Sequence, residues 1–410
     1  MKILSLSSVY PNPAEPGLGL FVRSRLQHMA ASAEIKAIAP IPLVDYSNPR
    51  GKLFLSRTFP VVRQDGPIEV FHPRWLFPPT GTPLNVVCQF ARLLPLVRQI
   101  RKTFPFDLID AHFGYPEGAT AGLLAAAFHV PYTITLRGSE TMFADYRYRR
   151  KAIRWALRRA GHVIAVAEDL RAFAIREGVA PERASTVPNG IDAAIFHPRD
   201  SRQMRLRHGL PLDRKSILSA GELIEAKGHH LVIQALKSLL GRGRDVELLI
   251  VGSTARGGPR YEDRLHQCVA SLGLAGRVRF IGWVDRNGLA ELLSAVDLFC
   301  LASFTEGWPN VVNEALACGA PVVASRVGGV PAMLPSEQYG IAVPPKDVAA
   351  LTAALERGLD KQWDRSAIST WGRSRTWADV AREVIDIQRT LAGADSAAVA
   401  SVISDCGTAP

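Results

Sequence analysis

The stretch EGWPNVVNEALACGAPVV, Glu306 to Val323, decides how the rest of the chain is read. It carries two carboxylates, Glu306 and Glu314, around a Gly-Trp-Pro turn, then passes through small residues into an apolar run. Pro309 suits the first turn of a helix, where its missing N–H would have no intrahelical partner and its φ is already set. The pattern predicts a loop, a helix carrying Asn310, Asn313 and Glu314, and then a buried strand. The first amides of that helix, Asn310, Val311 and Val312, suit an anion such as diphosphate. Eight residues separate the two acids, so they need not share a face. Such a pair fits two different hydroxyl groups of one extended polyol better than one shared proton. The plain alternative is two solvated acids on a loop and a helix.

Outward from this stretch, strand-like runs alternate with ten to twenty residues of helical character. In the first half the runs are KILSLSS, IKAIAP, DLIDAHF, PYTITL and HVIAVAE; in the second they are SILSAGE, VELLIVG, RVRFIGW, VDLFCLA and APVVAS. Such alternation predicts parallel sheets covered by helices on both faces. At 410 residues the chain is too long for one comfortable core, so two domains are expected. The Pro/Gly/Asp/Arg-rich segment from Val187 to Ser216 lacks apolar periodicity and marks the break. The expected organisation is an N-terminal Rossmann-like domain over 1–190, a second over 191–375, and a helix over 376–391 that returns to the first. The small-residue tail 392–410 is expected to lack regular structure.

The formal net charge is +11, and residues 1–195, with 24 Lys+Arg against 15 Asp+Glu, hold +9 of it. An anionic partner for that half follows: acidic lipid, a phosphorylated acceptor or nucleic acid. The segment DYRYRRKAIRWALRRAGH, 145–162, sets arginines among Tyr146, Tyr148 and Trp155, which suits peripheral contact with an anionic membrane. The Pro-rich FHPRWLFPPTGTPLNVV, 71–87, could border a lipid-facing groove. A solvated basic helix covering the sheet is the alternative. No recognised nucleic-acid motif accompanies the charge, so nucleic acid is not expected as a partner. Five cysteines without CxxC spacing exclude a disulfide framework and a zinc site, and fit a cytoplasmic setting. No run of about 18 apolar residues is free of charge, so no membrane-spanning helix is expected. The opening MKILSLSSVYPNP reads as a first strand, its apolar run being too short for a signal peptide.

EGWPNVVNEALACGAPVVASRVGGVP resembles the glutamate-x7-glutamate signature of family 4 retaining glycosyltransferases, which have the GT-B fold. VPNGIDAAIFHP (187–198), LSAGELIEAKGHHLVIQAL (218–236) and RVRFIGWVDRNGLAELLSAVDLFCLAS (277–303) match in order, so the resemblance covers most of 185–345. SVYPNPAEPGLGLFVRSRLQHMA, DAHFGYPEG and TLRGSE extend it more loosely into the first half. It implies an α/β fold of two doubly wound parallel-sheet domains facing across a cleft. It also implies roles. Glu306 would hold the donor sugar, and Glu314 the ribose of the nucleotide. Gly307, Trp308, Pro309 and Asn310 would present backbone to the sugar and phosphates. Lys227 would pair with the diphosphate, and the turn ending at Val284 would contact the base. Gly17 and Gly19 would approach the phosphates closely; glycine lacks the Cβ that would block this. His112 and Arg137 fall at strand ends that would face the cleft. The implied reaction moves a sugar from a nucleotide-diphosphate sugar to a glycan or lipid-linked acceptor. It needs no cofactor, and no Asp/His/Cys cluster has metal-ligand spacing.

The chain departs from the family pattern in places. Family members often carry an arginine ahead of the lysine that binds the diphosphate; in GELIEAKG that position is Glu222. Arg137 is the first candidate to compensate and Arg326 the second; the alternative is that Lys227 and the helix dipoles suffice. VGSTARGG is longer than the usual Gly-x-Gly turn, and Ala332 replaces a common acid. The rivals are a nucleotide-sugar epimerase of the same architecture, a non-catalytic donor-binding scaffold, and a nucleic-acid binder.

Overall fold

The computed structural model describes residues 1–43, 60–77, 84–254 and 259–405, apart from the side chains of 259–260 and 394–405. Contacts divide the chain into two units: one runs to Asn189 and takes up the chain again from Trp377, and the other spans Gly190–Thr376.

The first unit contains β1 (Lys2–Leu6), β2 (Glu34–Ile38), β3 (Ile41–Pro42), β4 (Val62–Asp65), β5 (Ile68–Phe71), β6 (Arg74–Trp75), β7 (Leu108–His112), β8 (Tyr132–Leu136), β9 (His162–Ala165) and β10 (Ala184–Thr186). Eight of them form one sheet in the order β10-β9-β8-β7-β1-β2-β5-β4, while β3 pairs with β6. All pairings in that sheet are parallel except the β4–β5 hairpin at its edge. Strands β7 and β8 are buried at every position, as strands covered on both faces must be. The helix Trp377–Asp405 lays Trp377, Val380, Ala381, Val384 and Ile385 against Val22, Leu26 and Met29 of the helix Leu20–Met29. From Ala392, where no regular structure was expected, this helix continues to Asp405. The run is rich in alanine, the strongest helix former. Residues 406–410 lie outside the described residues, as do 78–83 within the Pro-rich segment, whose Arg74–Trp75 forms β6 and whose Leu84 opens the helix Leu84–Thr103.

The second unit is one parallel sheet in the order β13-β12-β11-β14-β15-β16. Its strands are β11 (Lys215–Ala220), β12 (Val246–Val251), β13 (Val278–Gly282), β14 (Leu298–Leu301), β15 (Val322–Ser325) and β16 (Gly340–Val343). One face packs on the helices Ser201–Arg207, Arg286–Ala295, Asn310–Ala317 and Arg365–Gly372. The other packs on His229–Gly241, Pro259–Ser271 and Val348–Asp360. All ten apolar runs read from the sequence are strands. Each sheet has a switch point, between β1 and β7 in the first and between β11 and β14 in the second, where the order of strands reverses.

The first sheet carries charge in its interior. Arg25 Nη2 lies 2.5 Å from Asp110 Oδ2, with side-chain exposures of 2% and 0%, so neither charge has water to fall back on. Thr135 Oγ1 accepts from Arg25 Nη1 (2.7 Å), and Thr133 Oγ1 donates to Asp110 Oδ1 (3.0 Å). Removing one partner of such a pair strands the other charge. Arg25→Met is therefore expected to cost about 3–5 kcal/mol in urea unfolding. Arg207→Ala, which breaks the exposed pair with Glu291, is expected to cost under about 1 kcal/mol.

Candidate functional site

In open parallel sheets, ligands bind outside the carboxyl ends of the strands at the switch point, because the loops leaving the two strands diverge there. In the second unit those loops carry Lys227 and Glu306. The turn Glu225–Lys227 follows β11, and Glu306 lies between β14 and the helix Asn310–Ala317. Lys227 Nζ stands 2.6 Å from Glu306 Oε1, and Ser303 Oγ donates to the same oxygen at 2.7 Å. The Phe304 N–H donates to the Ala226 C=O at 2.8 Å, tying one loop to the other. The Phe304 ring is held between the His230 ring (5.8 Å) and the Lys346 ammonium (4.7 Å).

Gly228 makes this closeness possible. Its φ is +69°, and a Cβ there would stand 2.0 Å from the Ala302 carbonyl oxygen at the end of β14. Gly307 accepts the Gly329 N–H at 2.8 Å, and the Trp308 ring lies flat enough on Gly329 that a Cβ would meet it at 2.3 Å. Trp308 thus fastens the turn to the loop after β15. Pro309 caps the helix, and its C=O accepts the Val312 N–H at 2.9 Å, so Val312 is not one of the amides open to an anion; Asn310 begins the helix.

Glu314 is half-buried on that helix. Burial pushes its carboxyl up to about 7, against the opposing pull of the Arg286 guanidinium. Among the described residues its carboxylate has no hydrogen-bond partner. Arg286 also pairs with Asp192 (3.1 Å) and lies over the Phe196 ring (5.3 Å). Neither Arg286 nor Asp192 was singled out from the sequence, although both lie inside matched segments. His229 was missed too. Its ring is wholly buried beside the turn, with Nδ1 2.9 Å from Ser219 Oγ, and burial pushes it down to about 4, so it is neutral at pH 7. Val284, partly buried, packs against the core at the turn after β13. Glu222 is half-buried after β11. Arg326 does not reach it: its guanidinium donates to the Ala342 C=O (3.3 Å) on β16, three strands from β11.

At the switch point of the first unit the expected residues are present but turned inward. His112 is completely buried. Arg137 donates to His112 Nδ1 (2.9 Å from Nη2), leaving the ring proton to Nε2, which faces Asp110 Oδ2 at 3.3 Å. Burial and the neighbouring Arg25 push His112 down to about 3, so the ring is neutral. Burial alone would raise Asp110, but Arg25 and His112 hold its carboxyl below the usual range. His112 is therefore a positioning residue for Arg137 and has no surface of its own to offer a ligand. Arg137 also bonds Asn189 Oδ1 (3.2 Å) and lies over Phe21 (4.8 Å). Glu140 fixes the loop ends by accepting from the N–H groups of Gly114 (3.0 Å), Arg137 (3.1 Å) and Gly138 (2.8 Å). Gly17 is exposed on the loop after β1. Gly19 is required by its own turn: its φ is +67°, and a Cβ would stand 2.3 Å from the Val9 carbonyl oxygen.

The basic helix Arg147–Arg159 uses most of its cations internally. Arg150 and Arg154 clamp the buried Glu177 (2.7 and 2.8 Å), and Arg158 donates to the Glu177 C=O (3.0 Å). Arg159 covers Trp155 and Arg149 covers Tyr146. Arg147 and Lys151 have no ion-pair partner among the described residues, and Tyr146 and Tyr148 are exposed.

Residues 200–375 match the family Glycosyl transferases group 1, and residues 53–195 match Glycosyltransferase Family 4. A protein of Bacillus subtilis (strain 168), named as a teichuronic acid biosynthesis glycosyltransferase, is 30% identical over 87% of this chain and 89% of its own length. The 2-deoxystreptamine glucosyltransferase of Streptomyces kanamyceticus is 30% identical over 68% of this chain and 74% of its own. Among solved structures, sucrose-phosphate synthase of Thermosynechococcus elongatus superposes with a TM-score of 0.76 at 22% identity, covering 96% of this chain and 99% of that one. Anabaena HepE, solved with UDP and glucose, gives a TM-score of 0.71 at 22% identity over 95% of this chain and 100% of its own. At these identities the structural matches establish the fold alone.

The approach of the two loops can be tested through its glycine. Gly228→Ala has neither the conformation nor the space it needs, and a loss of more than about 1 kcal/mol is expected in chemical unfolding. Gly241→Ala, at the end of the following helix with open space around it, is expected to be neutral or to stabilise by up to about 1 kcal/mol.

Proposed function

Because the chain belongs to glycosyltransferase family 4, we propose that it transfers a sugar, with retention of configuration and without a metal, from a nucleotide-diphosphate sugar to a hydroxyl of a glycan or lipid-linked acceptor. Its activity as a GT-B glycosyltransferase follows from the family; donor, stereochemistry and acceptor go further. The Lys227–Glu306 pair at the switch point carries the reading. The complexes of HepE with UDP and with UDP-glucose support a nucleotide-sugar donor, and the Bacillus subtilis relative supports cell-envelope polysaccharide as the product. The setting proposed is the cytoplasm, at the inner face of the membrane.

In this reading the acceptor hydroxyl attacks the anomeric carbon on the face the diphosphate leaves. The new C–O bond forms as the bond to the phosphate oxygen breaks, and that oxygen takes the acceptor's proton. No protein base is then needed. Lys227 carries the charge growing on the phosphate, and Glu306 holds a sugar hydroxyl beside it. The two are preorganised by each other, so little reorientation accompanies the reaction. Glu314 accepts from the ribose hydroxyls. Glu222 favours one second reading, a scaffold that binds the donor without turning it over, because a carboxylate near the diphosphate opposes binding.

The donor reading is tested by UDP-glucose titrations at pH 6 and pH 8. With a folded-state value of about 7, Glu314 is mostly protonated at the lower pH and mostly ionised at the higher. Affinity should rise by up to about tenfold across that window, and Glu314→Gln should flatten the rise. Lys227→Ala should weaken binding by on the order of 10- to 100-fold. Absence of binding across UDP-, GDP-, ADP- and TDP-sugars would end the donor reading. Binding without UDP release to any acceptor would favour the scaffold, and a product of inverted anomeric configuration would exclude retention.

Peripheral membrane contact through 145–162 rests on Arg147, Lys151, Tyr146 and Tyr148. Co-sedimentation with vesicles containing anionic lipid should fall in the Arg147→Ala/Lys151→Ala double variant, at about 1 kcal/mol per cation. Unchanged sedimentation would assign the helix a structural role only.

A further inference from the structure

The start of the helix Leu84–Thr103 inverts the usual pattern of a helix that covers a sheet. Leu84 and Val87 are 55% and 57% exposed, while Asn85 and Gln89, one turn apart, are wholly buried. Among the described residues neither the oxygen nor the nitrogen of either amide has a hydrogen-bond partner. The Thr120 hydroxyl, on the helix Ala119–Phe128 that packs against this one, is also wholly buried and unpartnered. Buried polar groups are nearly always satisfied, and each one left unpaired opposes folding. Three such side chains on two packed helices are a burden that core packing alone does not explain.

These groups stand where the first sheet would take a ligand. The helix Leu84–Thr103 leads into β7, so it runs against the strands and begins at their carboxyl edge. Glu117 and Thr120 follow β7 at the same edge, and the Ser8 N–H, just after β1, donates to Glu117 Oε1 at 3.2 Å. Those are the two loops that diverge at the switch point between β1 and β7. Tyr115 links the helix to the carboxylate: burial chiefly raises its hydroxyl, which responds also to Arg149, to Glu117 and to the Asn85 amide. Burial pushes Glu117 up to about 7, and Glu140 adds to the rise. Near neutral pH its carboxyl can therefore donate or accept. The two amides and the Thr120 hydroxyl can likewise do both.

We propose that Asn85, Gln89, Thr120 and Glu117 form a subsite for the hydroxyl groups of an uncharged sugar unit of the acceptor. The proposal rests on the reading of the chain as a transferase with a sugar acceptor, and it names the part of the first unit that holds that sugar. A sugar hydroxyl donates one hydrogen bond and accepts others, which matches groups that each offer both. An anionic group is disfavoured there, because Glu117 already has Glu140 beside it. Since the subsite is covered, the first turns of the helix Leu84–Thr103 must lift to admit the sugar. Pro95 lies within that helix and has no N–H for the Ala91 C=O, so the turns before it are joined less firmly to those after it.

The test is saturation-transfer NMR of the full chain with the methyl glycosides of glucose, galactose and N-acetylglucosamine, with melting curves on the same samples. At least one glycoside should bind, and Asn85→Leu, Gln89→Met and Thr120→Val should each weaken it by on the order of tenfold. The same variants should melt at an unchanged or higher temperature, since each replaces an unpaired polar group by an apolar one of similar shape. The methyl glycoside of glucuronic acid, which carries a carboxylate, should bind more weakly than the neutral three; tighter binding would overturn the uncharged class. Sugar binding unchanged in all three variants, or a lowered melting temperature in all three, would overturn the subsite, and so would failure of the unaltered protein to bind any neutral glycoside. UDP-glucose titration in parallel separates this from the donor reading. Glycoside binding without UDP-glucose binding supports the subsite and ends the donor reading; UDP-glucose binding without glycoside binding does the reverse.

Discussion

The parallel pairing of β11 with β14 is the constraint on which the candidate site depends. Only two residue pairs define its register, Ile217 with Leu298 and Leu218 with Phe299. Yet it brings together loops whose residues Lys227 and Glu306 are 79 apart in sequence. The pairing is secured by burial rather than by hydrogen bonds alone. From Ser216 to Ala220 and from Leu298 to Leu301 every residue is buried, so slipping by one position would exchange the side chains fitted to the two helical layers. The ion pair stands at the mouth of that register. Two loops that diverge by topology are made to converge by Gly228, whose missing Cβ lets one turn abut the end of the neighbouring strand.

The first sheet meets the same topology with a different chemistry at its switch point. Asp110, Arg25, His112 and Arg137 form a connected polar chain within a core where such groups are normally excluded. Parallel strands buried on both faces leave no solvated side to which a charge could be moved. Each member is therefore tolerated because another satisfies it: Asp110 against Arg25, and neutral His112 between Asp110 and Arg137. Arg137 ends the chain with its guanidinium donors taken by the His112 imidazole and the Asn189 amide, while the neighbouring Glu140 carboxylate accepts its backbone N–H. Burial and the repulsion of Arg25 both lower its affinity for its proton. A network of this kind specifies which side chains may occupy the ends of β7 and β8.

How much of this was legible in the sequence depends on the range of the interaction. The ten apolar runs were legible because burial on both faces writes itself into consecutive residues. Strands β3, β4, β5, β6, β10 and β16 were not: they are short, and several are edge or half-polar strands whose pattern depends on their neighbours. Glu306, Glu314 and Lys227 were singled out through motif spacing; the fold brings the loops of Lys227 and Glu306 together and sets Glu314 on the helix that follows. The inward turn of His112 was not, because it depends on Arg25, 87 residues away. Gly19 matched a phosphate-loop pattern, but its missing Cβ answers to the close approach of the Val9 carbonyl, earlier in the loop after β1. The alanine-rich tail was misread since small residues signal either disorder or helix, and nothing local separates the two.

The electrostatics of the second unit bear on how an anion could be accepted there. Lys227 is already matched by Glu306, Glu222 adds a carboxylate at the same loop, and Arg326 is directed to β16. On the proposed reading, a diphosphate can gain from Lys227 only by competing with Glu306 for it. Glu306 in turn can leave the ammonium without loss only if it acquires new donors, and sugar hydroxyls are donors of that kind. The ion pair thus favours a ligand carrying both groups over one carrying phosphate alone. A nucleotide sugar satisfies lysine and glutamate together, whereas a bare nucleotide would leave the half-buried Glu306 deprived of its partner. On that reading the pair that looks self-neutralising would favour the intact donor over the product left behind when the sugar has gone.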